Sequence, residues 1–133
     1  MANGTIAFDT LQTSGQIDGT ARSIDTDYLL NGSGKTWVNY NSSTTIRDSF
    51  NISTLDDDGT GDYTAHITNS FANDDFSVTT GGANGSASAT AYCLSVFDYT
   101  TSSVEMETFS VSASSVAKAD RSMNNLTIHG ELA

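Results

Sequence analysis

Apolar and polar residues alternate with a period of two in several short windows of this chain, the spacing of a strand that buries one face. In residues 45–52, Ile46, Phe50 and Ile52 share one parity, with Asp48 as the exception, and Thr45, Arg47, Ser49 and Asn51 share the other. Residues 63–68 repeat the pattern, with Tyr63, Ala65 and Ile67 against Thr64, His66 and Thr68. Between them lies Asp56-Asp57-Asp58-Gly59-Thr60-Gly61. Asp and Gly tolerate positive φ, so a β-hairpin turning over 56–61 is predicted. Further strands are read at 35–41, 76–80, 89–100, 105–113 and 125–131, rich in β-branched and aromatic residues. The window 89–100 is apolar on both parities, Ala91, Cys93, Phe97 and Tyr99 on one and Tyr92, Leu94 and Val96 on the other. Such a strand is expected to be central or covered on both sides. Val104 and Met106 stand on one parity and Phe109 and Val111 on the other, a phase change that predicts a bulge or bend. Helical signal is confined to a turn or two at 115–121 and one short turn around Tyr28-Leu29-Leu30. About seven strands separated by Gly, Asn, Asp and Ser turns predict an all-β, antiparallel β-sandwich, jelly-roll or Ig-like.

The leading residues differ. One strand is readable at 5–9, a polar stretch runs from 10 to 27, and Asn31-Gly32-Ser33-Gly34 reads as a joint. The chain therefore divides into an extended N-terminal arm and linker, 1–34, and a β-sandwich knob, 35–133. Ile6, Phe8 and Leu11 are apolar anchors through which the arm is expected to dock on a neighbouring subunit. No basic and apolar leader stands at the start, so no secretory signal peptide is predicted.

Composition sharpens the picture at one point. Leu, Ile, Val and Phe together number 26 of 133 residues, and the net charge is −11, values at the border of intrinsic disorder. The alternation argues for a fold, but one with a thin core. A domain so built gains stability when subunits share buried surface, and Tyr92, Leu94 and Val96 are the residues expected to provide it. Sixteen acids against five Lys and Arg exclude a partner recognised through a nucleic-acid backbone. No apolar run approaches the ~20 residues of a membrane helix, so membrane insertion is not expected. A lone cysteine, Cys93, excludes an intrachain disulfide framework.

Three strings carry a resemblance: Lys35-Thr36-Trp37-Val38-Asn39-Tyr40-Asn41, then Ile46-Arg47-Asp48-Ser49-Phe50-Asn51-Ile52, then Asp58-Gly59-Thr60-Gly61-Asp62-Tyr63-Thr64. In order and spacing they resemble a β-rich knob domain of tailed-phage virion proteins, often found at the ends of tail fibres. Leu126-Thr127-Ile128-His129-Gly130 resembles its final strand more loosely. The resemblance implies a non-catalytic virion surface protein, homotrimeric, partnered by capsid or tail proteins of the same particle. Residues 70–76 lack the proline that the family often carries there, and no fibre shaft precedes the knob. Arm plus knob suits a small accessory attached through its N-terminal arm, either a capsid decoration or cement protein or a short fibre or spike. The alternative is a tail fibre module that binds a host carbohydrate receptor.

Candidate chemistry is sparse. Asp56, Asp57, Asp58 and Asp62 form an acidic loop fit for a receptor or a hard cation. Read as an EF-hand from Asp56, its twelfth position is Ile67 where Glu is required, so a solvated turn is the simpler reading. Asp48 stands on an apparently apolar face, where an acid is usually held by backbone amides or an Arg. His66 and His129 are scattered, and abundant Ser makes any triad arbitrary. Trp37, Tyr40, Tyr92 and Tyr99 together suggest a sugar-stacking platform, but in a chain short of aliphatics Trp37 is expected in the core. No cofactor and no catalytic residue are assigned.

Overall fold

The computed structural model of the chain describes residues 32–83 and 91–133. Ile6, Phe8, Leu11 and the rest of the arm up to Asn31 lie outside the described residues, as does the glycine-rich stretch 84–90. The described residues form nine strands: β1 (Thr36–Tyr40), β2 (Ile46–Phe50), β3 (Ile52–Gly59), β4 (Asp62–Ile67), β5 (Ser77–Ala83), β6 (Ala91–Thr100), β7 (Ser103–Val111), β8 (Val116–Lys118) and β9 (Met123–His129). They build two antiparallel sheets, one ordered β2-β1-β9-β5, the other β3-β4-β7-β6 with β8 continuing β4's place beside β7. The sandwich predicted from alternation is the fold.

Period-two burial explains the packing. Thr36, Val38 and Tyr40 on β1 and Asn124, Leu126 and Ile128 on β9 are buried, and so are Tyr63, Ala65 and Ile67 on β4 and Val104, Met106 and Thr108 on β7. The sheets meet at Tyr40, whose ring stands edge-on to Tyr63 with centroids 5.4 Å apart and whose hydroxyl lies 3.7 Å from Met106 Sδ. Phe71 and Phe76 stack at 4.8 Å, and Phe76 reaches Tyr99 at 5.1 Å, closing one end.

Five expectations are corrected. The window 45–52 is not one strand. Asn51 adopts φ 60, a conformation Asn tolerates better than most residues. Its amide donates to Thr36 Oγ1 and Asn69 O, and its Oδ1 accepts from Asn69 N. That corner sends β2 into one sheet and β3 into the other. The hairpin turn is also shorter than 56–61, because Asp56, Asp57 and Asp58 belong to β3, and only Thr60 and Gly61 lie between β3 and β4. The strand 89–100 is not central: β6 ends its sheet, pairing with β7 and touching the other sheet's last strand through a bond from Thr80 Oγ1 to Leu94 O. The phase break sits in β6, not in β7. Phe97 is bulged out between the pairs Val96–Met106 and Asp98–Glu105, which turns Tyr99 inward toward Phe76. Finally, residues 116–118 are strand where a helical turn was readable.

Two core phenols are held neutral. Burial raises the pKa of Tyr40 and Tyr63 well above the ordinary value. The neighbouring Tyr63 adds to the effect at Tyr40, and the bond to Asp120 adds to it at Tyr63. In the unfolded chain both ionise near pH 10. Below that pH the stabilisation from keeping them neutral is fully present. As pH rises past it, the unfolded chain releases protons that the folded chain keeps, and stability falls. The melting temperature is expected to drop steeply above about pH 10. In a tyrosinate absorbance titration, two of the five tyrosines should ionise only as the fold is lost. All five titrating together in folded protein would contradict this.

Candidate functional site

The outer face of the four-stranded sheet carries an aromatic pair. Trp37 on β1 stands opposite Phe50 on β2 and Thr127 on β9, and Thr127 stands opposite Thr79 on β5. Alternation from the buried Val38 and Tyr40 forces Trp37 outward, so the residue expected in the core is a half-buried surface residue, and Phe50 is 54% exposed. The next row reads Asp48, Asn39, Asn125 and Gly81. Asn39 donates its side-chain amide to Asn125 Oδ1. Arg47 is displaced by the bulge in the β1–β2 pairing and lies across this row. Its Nη1 donates to Asn39 Oδ1 at 3.3 Å and its Nη2 to Ser122 O at 2.7 Å. Asp48 is exposed and its Oδ1 accepts from Ser49 N, so the acid that seemed to interrupt an apolar face is a surface residue.

The five-stranded sheet is electrically different. Its strands contain Asp56, Asp57, Asp58, Asp62, Asp98, Glu105 and Glu107 against Lys118 alone of Lys and Arg, whereas those of the other sheet contain one acid, Asp48, and one Arg, Arg47. Asp62 and Glu107 are directly opposed, a destabilising arrangement. Lys118 Nζ relieves it, lying 2.7 Å from Glu107 and 2.9 Å from Asp62, and these two bonds hold its pKa above the usual lysine value.

The acids read as a receptor or ion loop do not converge. Asp56 Oδ2 lies 3.0 Å from His66 Nε2, Asp57 Oδ1 accepts from Gly59 N, Asp58 Oδ2 accepts from Thr64 Oγ1, and Asp62 is taken by Lys118. Among the described residues, no group of three or more His, Cys, Asp and Glu is placed to hold a metal ion. His66 and His129 belong to different sheets, so they share no site.

Of the residues proposed for assembly, Leu94 is buried and Tyr92 and Val96 are half-buried on the inward parity of β6. Tyr92 carries the guanidinium of the buried Arg121, 4.1 Å from its ring centroid. The parity turned to solvent holds Ala91, Cys93 and Ser95. No family model, curated protein or solved structure matches the chain. The site that sequence reasoning missed is the Trp37–Phe50 pair. Its signal was present in the odd-numbered parity of β1, which places Trp37 opposite in phase to Val38 and Tyr40, but the parity of Phe50 was hidden by the bulge at Arg47 and the corner at Asn51.

Proposed function

We propose that the chain is a non-catalytic surface protein of a tailed-phage virion, homotrimeric and attached through residues 1–34. It serves as a capsid decoration or cement protein or as a short fibre or spike. The observation that carries the reading is where the three strings of the resemblance fall. The first brackets β1, the second covers β2 and the Asn51 corner, and the third spans the turn into β4. They are consecutive pieces of one sandwich, and they include three of the four described positions where the backbone takes positive φ, Asn51, Gly59 and Gly61, the fourth being Thr44. A match confined to strand interiors would follow from alternation alone, whereas these three are position-specific.

The test is immunogold electron microscopy, with mass spectrometry, of the particle whose genome encodes the chain. Labelling at regular capsid positions assigns a decoration protein. A few copies at the tail or a vertex assign a fibre or spike. Absence from the purified particle overturns the proposal.

A further inference from the structure

We propose that copies of this chain pack against one another through the outer face of the four-stranded sheet, with Trp37 and Phe50 at the centre of the contact and the acidic sheet turned away. The inference rests on the trimeric reading above and adds the surface that the trimer uses.

Charge selects the face. A chain of net charge −11 meets its own copies against a repulsive field. Bringing the five-stranded sheets together would oppose Asp56, Asp62, Asp98, Glu105 and Glu107 of one copy to the same residues of the next. The strands of the four-stranded sheet carry Asp48 and Arg47, which cancel. Lys35, which pairs by its backbone N–H with Ile128 O at the start of β1, adds a cation beside them. Three copies of this face therefore meet without the like-charge penalty that the opposite face would bring.

The side chains suit the same contact. Trp and Phe lose little conformational freedom on burial, and large aromatics at the centre of an interface carry much of its binding energy. Around them Asn39, Asn125, Thr127 and Thr79 provide a flat rim of short hydrogen-bonding groups. The Asn39–Asn125 and Arg47 bonds hold that rim in place before any partner arrives, which lowers the entropy lost on association.

Three proteins decide the matter by light scattering and sedimentation over a range of concentrations: the unaltered full chain, Phe50→Ser, and Phe97→Ser as control. Phe97 is 68% exposed on the acidic sheet's last strand. The unaltered chain and the control are expected to be trimers at micromolar concentration. Phe50→Ser should dissociate to folded monomers, with affinity weakened about 30-fold or more, the scale of a lost aromatic hot spot. Circular dichroism of the dissociated variant checks that it remains β-structured. A persistent Phe50→Ser trimer, with Trp37→Ala behaving likewise, overturns the face while leaving the trimeric reading intact. A monomeric unaltered chain overturns both. Loss of binding to a glycan array in trimeric Phe50→Ser overturns the face in favour of a saccharide site.

Discussion

Gly61→Ala is expected to lower the stability of the domain by about 3 kcal/mol or more. Gly61 sits at φ +67, and a Cβ placed on it would stand 2.6 Å from Thr108 O and 2.7 Å from Ala119 N. Both are backbone atoms and neither is free to move. Thr108 N donates to Gly61 O, Ala119 N donates to Thr108 O, and Thr108 Oγ1 donates to Ala119 O. Asp120 Oδ1 completes the clasp, accepting from Gly61 N at 2.7 Å and from the Tyr63 hydroxyl at 3.1 Å. Making room for the methyl group would separate the tip of the hairpin from β7 and disconnect the segment that carries Asp120. Gly59 is the internal control. Its φ is +142 but nothing lies within 4 Å of an added Cβ, so Gly59→Ala should cost only the backbone strain, about 1–2 kcal/mol. Urea unfolding of the two variants checks the difference. Equal losses would mean that the clasp is not formed.

Tyr40→Ala is expected to cost about 4 kcal/mol, because it removes the ring on which the two sheets meet. Tyr40 is fully buried, edge-on to Tyr63 and in contact with Met106. The hole left behind is lined by β4 and β7, whose hydrogen-bonded backbones cannot close on it. Tyr40→Phe keeps the ring and gives up only a weak contact to sulfur, so a loss of less than about 1 kcal/mol is expected. Trp37→Ala is the informative comparison. The side chain is larger, yet it lies on the outer face, and at a dilution where copies are separate its removal should cost about 1 kcal/mol, the scale of a cross-strand pair. Thermal melts of the three variants at low concentration decide it. If Trp37→Ala destabilised the isolated domain as much as Tyr40→Ala, the outward placement of Trp37 would be wrong.

Much of the fold was legible because a sandwich strand buries alternate residues, and alternation survives in the letters. Tyr63, Ala65 and Ile67, and Leu126 and Ile128 announced their faces and are buried. What blurred the reading was local backbone geometry. The corner at Asn51 and the bulges at Arg47 and Phe97 each shift the phase by one residue. The apparent stripe of Ile46, Phe50 and Ile52 therefore joined residues from two sheets and two faces. The acids of β3 looked like a turn because Asp favours turns, yet an edge strand tolerates charge, and charge there discourages unwanted pairing.

The candidate site was less legible. Trp37 was assigned to the core on composition, since aliphatic residues are few, whereas its own parity placed it outside. Alternation by itself determined that this chain is an antiparallel β-sandwich and which residues of its regular strands face inward. The choice of strand neighbours, the edge position of β6, the placement of the Trp37–Phe50 pair on one sheet and of all the strand acids but Asp48 on the other, and the clasp on Gly61 were decided only by the tertiary structure. The physical reason is range. Period-two burial is a property of adjacent residues, whereas the pairing of β1 with β9 and the reach of Asp120 to Gly61 join residues far apart in the chain, and no local pattern specifies which distant segment will fill a given place.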